Sequence, residues 1–184
     1  MTLPTVGYTR TSIALHWLIA LLIFCAFPLG VYMHDLPFSP GRLKLYSYHK
    51  WLGVTVFLLA LARLLWRLKH PAPPPAGLPA WQRIAATAMH HLLYVLIVLV
   101  PVSGWLMSSA KGFQTVYLGI APIPDLLAKN KELGELLTTV HKALNFILAV
   151  LVITHLTAAL KHYFVDRDEV LGRMIPLLDR KKRS

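Results

Sequence analysis

The chain has a single cysteine, Cys25, so no internal disulfide can staple it. Acid is scarce too: eight Asp and Glu stand against nineteen Lys and Arg. That leaves no carboxylate relay of the kind an ion transporter needs. Formal charge is missing altogether from residues 12–33, 88–108 and 143–160. Runs of this length suit the hydrocarbon layer of a membrane rather than a water-facing domain. The first run is too long for a signal peptide and lacks an A-x-A-like cleavage site. Leu22 to Cys25 does not read as a lipoprotein signal either, because Phe24 is too bulky. The run is therefore read as an uncleaved helix.

What is present is apolar and basic. Hydrophobic residues make up 56% of 184, and the mean hydropathy is +0.56. The expected fold is all-α: one membrane domain over 1–184, an integral four-helix bundle in a lipid bilayer. Its spans are expected near 12–33, 46–67, 88–108 and 141–164. In the second, Trp51 to Ala62 is uncharged but short, so Lys50, Arg63 and Arg67 must snorkel or meet buried anions. Pro28 and Gly30 are expected to kink the first span. His34 to Gly41 and the proline-rich stretch His70 to Pro79 read as connectors. Lys129 to Leu137 is expected to form a short surface helix. No internal repeat of fixed period is evident.

The formal charge of +11 flanks apolar spans, which argues for membrane topology and against nucleic acid. Four spans put both termini on one side. That side holds twelve basic residues: Arg10, Arg63, Arg67, Lys69, Arg83, Lys161, Arg167, Arg173 and the run Arg180, Lys181, Lys182 and Arg183. The other holds seven: Arg42, Lys44, Lys50, Lys111, Lys129, Lys131 and Lys142. The richer side is expected in the cytoplasm, hence N-in and C-in.

Histidines then organise the chain. His141 and His155 stand fourteen residues apart on the last span. At ~100° and ~1.5 Å per residue they share a face, ~21 Å apart along the axis. This spacing suits two haems stacked across a membrane, each needing a second imidazole from another helix at its own depth. On the outer side His49 lies level with His141. On the inner side His155 has three candidate partners, His16, His90 and His91. The longer lead before His16 favours it and leaves the other two open. With one cysteine there is no CxxCH motif, so haem would be held non-covalently. Two imidazole ligands favour electron transfer over oxygen binding. Arg10, Arg63 and Arg67 inside, and Lys50 and Lys142 outside, are candidates to meet the propionates.

The segments TRTSIALHW (9–17), HKWLG (49–53), RLLWR (63–67) and HLTAALKHYF (155–164) resemble the bacterial inner-membrane cytochrome b561 family over essentially the whole chain. The resemblance implies a di-haem b protein with His16 and His155 on the inner iron, and His49 and His141 on the outer iron. It decides against His90 and His91. It also implies electron exchange with quinone, and in one kind of member the transfer of electrons from periplasmic superoxide to ubiquinone. Many members carry two adjacent histidines after the fourth span, where this chain has His162-Tyr163.

Two functions compete. The first is a superoxide:quinone oxidoreductase, a superoxide oxidase. The second is a carrier subunit linking a periplasmic electron donor to the quinone pool. The absence of a large docking surface favours the first. The outer side sets seven basic residues against four acidic ones, Asp35, Asp125, Glu132 and Glu135, an excess able to steer a small anion. His162 lies seven residues past His155, ~10 Å further along the same face. It is the candidate proton donor to quinone, with Ser12 and Lys161 as candidate headgroup contacts.

Overall fold

The computed structural model describes residues 7–73 and 78–178. The tail basics Arg180 to Arg183 and part of the proline-rich connector lie outside the described residues. Four long helices dominate: α1 (Arg10–His34), α2 (Pro40–Lys69), α3 (Ala80–Ala110) and α4 (Lys131–Lys161). All four are long and apolar enough to cross a membrane. The protein is a multi-pass four-helix membrane protein.

Local chemistry sets the helix starts. Thr9, Ser39 and Asn130 each turn a side-chain oxygen to a backbone N–H of the first turn, at Ser12, Arg42 and Leu133. Pro40 follows Ser39 at the first helical position, where its missing N–H costs nothing. α1 runs on through Pro28, and α3 through Pro101. The first three helices outrun the expected spans at both ends; α4 starts earlier, at Lys131, and gives way to a π turn at His162. The segment expected as a separate surface helix from Lys129 is instead the opening of α4, which starts at Lys131 and continues unbroken. A capped helix does not stop where its apolar stretch stops.

The α3–α4 connector holds a short hairpin that the hydropathy pattern did not signal. Strand β1 (Thr115–Tyr117) pairs antiparallel with β2 (Ala121–Ile123). α3 ends in a Schellman turn: Gly112, at φ 73°, donates to the Ser109 carbonyl, and Phe113 to that of Ser108. Leu118 and Gly119, both with positive φ, make the tight turn at the tip. The hairpin sits on the ends of α2 and α3. Trp51 Nε1 donates to the Val116 carbonyl, Trp105 Nε1 to that of Pro124, and Thr55 Oγ1 lies 3.0 Å from the Tyr117 hydroxyl.

α1 packs on α2, α2 on α3 and α3 on α4. α4 makes no comparable close approach to α1 or α2 among the described residues. The bundle is therefore open along one seam. Few side chains are buried in it, among them Ile19, Val56, Ala60, Leu96 and Leu148. At the end carrying the termini, α4 closes in a π-helical turn (His162–Asp166). The chain then folds back to α1, where Trp17 Nε1 donates to the Met174 carbonyl.

Candidate functional site: two imidazole pairs across an open seam

Both histidine pairs face each other across that seam. His16 on α1 and His155 on α4 have ring centres 6.4 Å apart, at the level nearer the termini. His49 on α2 and His141 on α4 have ring centres 6.4 Å apart, at the hairpin end. A metal between two imidazole nitrogens at ~2 Å, with each ring centre ~1.1 Å behind its nitrogen, separates the centres by ~6.2 Å. Both pairs fit that spacing. The interplanar angles, 54° and 89°, do not discriminate, because either ring can turn about the shared axis.

His90 also approaches His155, but at 5.4 Å between centres, edge to face. That is too close for two rings facing each other across one haem iron. His91 turns back to its own helix, with Nδ1 2.7 Å from the Thr87 carbonyl.

The hairpin-end pair is held from behind. Nδ1 of His49 lies 3.1 Å from the Ala26 carbonyl, which can only accept, so the hydrogen sits on Nδ1. Nδ1 of His141 lies 2.9 Å from Ser103 Oγ. That hydroxyl donates to the Val100 carbonyl, so it accepts from His141. In both rings Nε2 is then the nitrogen with a free lone pair. Nearer the termini, His16 lacks this support: its Nδ1 is buried with no hydrogen-bond partner among the described residues. A buried polar atom left alone is costly.

Cations gather at both ends. Near the termini, Arg63 donates from Nε to the Tyr94 hydroxyl and from Nη1 to the Ser12 carbonyl. The Arg67 guanidinium lies 5.7 Å from the Tyr94 ring centre. Tyr8, Ser12, Arg63, Arg67, His70 and Tyr94 line one cleft there. No carboxylate contacts Arg63 or Arg67 among the described residues. Arg10 is exposed at the start of α1. At the hairpin end, Lys50 Nζ donates to the Phe113 carbonyl at 2.8 Å. Lys142 Nζ lies 2.8 Å from His34 Nε2.

His162 is gripped by two carboxylates that sequence reasoning did not single out. Its Nδ1 lies 2.6 Å from Asp168 Oδ2 and 3.2 Å from Asp166 Oδ2. Lys161 pairs with Asp166 at 2.6 Å. The H-x3-D-x-D spacing was the available signal; the π turn brings the three together. Ser12 is not part of this cluster. It lines the Arg63 cleft and bonds Thr9 Oγ1 at 2.9 Å.

The family profile described as prokaryotic cytochrome b561 matches residues 7–177. Among curated proteins, the chain is 34% identical to "Cytochrome b561 homolog 2" of Escherichia coli K12, over 91% of this chain and 90% of that one. It is 29% identical to "Cytochrome b561 homolog 1" of the same strain, over 92% and 97%. It is 27% identical to "Probable superoxide oxidase CybB" of Yersinia pestis, over 96% and 98%.

Proposed function

The chain belongs to the prokaryotic cytochrome b561 family, haem proteins of membrane electron transfer, and from that premise we propose that it is a superoxide:ubiquinone oxidoreductase using two haems b. The observation that carries the di-haem reading is the pair of equal 6.4 Å imidazole separations at two levels of one bundle. The likeness to the Yersinia pestis protein and the basic hairpin end support superoxide as donor.

His16 and His155 would hold one haem and His49 and His141 the other, the latter pair through the Nε2 that its Nδ1 hydrogen bonds leave free. Bound there, the two haems supply a one-electron relay across the hydrophobic layer. With both termini in the cytoplasm, the hairpin end faces the periplasm. Lys50 and Lys142 stand directly after the ligands at that end, where they attract superoxide or offset a propionate. Arg63 and Arg67, with Arg10 beyond them, offset the carboxylates at the other level. An uncompensated guanidinium inside the bilayer is costly, and an anion in that cleft removes the cost.

Two superoxide ions each give up one electron and leave as dioxygen. One quinone takes both electrons and two protons. His162, oriented by Asp168 at Nδ1, carries at Nε2 a proton for a quinone oxygen and reloads from the cytoplasm. Lys161 lies beside it, whereas Ser12 faces the Arg63 cleft and would meet the headgroup only from there. The test is purified protein with superoxide and a soluble quinone, and no other protein. Quinol formation with loss of superoxide supports the proposal; its absence from the di-haem protein overturns it.

A second reading has its own observation. The hairpin tip exposes Leu118 and, at 83%, Ile120. Exposed apolar side chains at the donor end suit a docked redox protein, which would make the chain a carrier subunit. Reduction by a periplasmic protein but not by superoxide would select it.

A further inference from the structure

Two glycines lie against the imidazoles of the hairpin-end pair. A Cβ built on Gly30 would stand 3.0 Å from Cε1 of His49, 3.4 Å from its Nδ1 and 3.7 Å from its Nε2. A Cβ built on Gly104 would meet Cε1, Nδ1 and Nε2 of His141 at the same three distances. The backbone repeats as well. The Ala26 carbonyl lies one turn before Gly30 and takes the His49 Nδ1 hydrogen. The Val100 carbonyl lies one turn before Gly104 and takes the Ser103 hydroxyl that holds His141.

The two hairpins α1–α2 and α3–α4 match by spacing. Fourteen positions separate His16 from Gly30 and His90 from Gly104. Fourteen separate His49 from Arg63 and His141 from His155. A lysine follows each histidine of the hairpin-end pair, at Lys50 and Lys142. The same device thus stands behind both imidazoles of one level and neither imidazole of the other. None of Gly7, Gly41, Gly53, Gly112, Gly119 and Gly134 lies against His16 or His155.

We infer that Gly30 and Gly104 are positioning residues that set the ring orientation of His49 and His141 toward the hairpin-end haem. This rests on the ligation proposed for those two histidines. Each ring is held at two points. A carbonyl or hydroxyl fixes Nδ1, and the bare Cα one turn on lets the Cε1 edge lie close to the neighbouring helix. A methyl group at either glycine must displace a ring that its hydrogen bond prevents from sliding away. Nε2 then leaves the line on which it meets the metal. Ring orientation and ligand basicity are what such outer contacts control at a metal.

The test uses full-length Gly30→Ala and Gly104→Ala, purified with haem. Haem content is measured together with the low-spin electron paramagnetic resonance signals, whose positions report ring orientation. Each variant is expected to shift or abolish the signal of the hairpin-end haem and to leave the other unchanged. Gly53→Ala is the control: it lies on α2, one turn past His49, with nothing within 4 Å of its Cβ position, and should move neither signal. Two unmoved signals in both glycine variants would overturn the inference. So would parallel loss of both haems, the mark of general misfolding. His49→Ala separates this from the ligation itself. If it keeps both haems, the ligand assignment fails. If it loses one while the glycine variants change nothing, the positioning role fails alone.

Discussion

Nδ1 of His141 lies 2.9 Å from Ser103 Oγ, and that hydroxyl gives its own hydrogen to the Val100 carbonyl. The chain of donors runs one way, from imidazole to serine to backbone. A ligand that donates from its far nitrogen is more basic at the near one. It therefore favours the more positive, oxidised metal. Ser103→Ala should raise the midpoint potential of the hairpin-end haem by on the order of 30–60 mV, since tenfold in a one-electron equilibrium is ~59 mV. The other haem should not move. A redox titration followed at the α-band checks both.

Under the proposed ligation, four histidines in two pairs should give two low-spin haems per chain. Pyridine haemochrome analysis against protein concentration should return that ratio. His155→Ala should lose the haem near the termini and keep most of the other. His90→Ala and His91→Ala should each keep both, since neither ring stands at a ligating distance from a partner.

Superoxide should reach the hairpin end faster at low salt. The screening length is ~8 Å at physiological ionic strength, so charges beyond the first shell fade as salt rises. Lys111 already shares its charge with Glu135 at 3.3 Å, so reversal there should matter less than reversal at Lys129. The rate of haem reduction by superoxide, with and without salt, measures it. A rate indifferent to salt and to charge reversal at Lys111, Lys129 or Lys131 would remove the steering argument.

His162→Ala should leave both haems in place and still reducible by the donor. Reoxidation by quinone should slow severalfold or more. Asp168→Asn should slow the same step, because it removes the carboxylate that orients the imidazole. Single-turnover reoxidation of pre-reduced protein separates this step from the first. Normal turnover in both variants would return His162 to a structural role, capping α4 beside Asp166.

The four spans and the two histidine levels were legible in the sequence for one reason. The hydrocarbon layer demands apolar length, and a helix converts residue number into depth. His49, His141 and His155 could be ranked by depth alone. What was not legible depends on contacts across the chain. Nothing local tells that Ser103 stands behind His141, or that the Ala26 carbonyl stands behind His49. The Asp168 contact with His162 needs a π turn, which hydropathy does not register. The hairpin escaped because its strands are three residues each, one of them holding Pro122. Its tip needed Leu118 in a left-handed conformation, which leucine rarely advertises. Helix ends were short in the reading because apolar content fades before a capped helix does.

The open seam has a consequence for biogenesis. α4 closes on α3 by packing, but toward α1 and α2 it offers facing imidazoles with little between them. Under the proposed ligation, the prosthetic groups would act as rivets fastening α4 to α1 and α2, beside the packing of α2 on α3. Cofactor loading is then part of assembly rather than an addition to a finished protein. A cell short of haem would hold this chain with α2 still packed on α3 but with α4 unfastened from α1 and α2, and more open to proteolysis. Its abundance would follow the haem supply without any dedicated regulator.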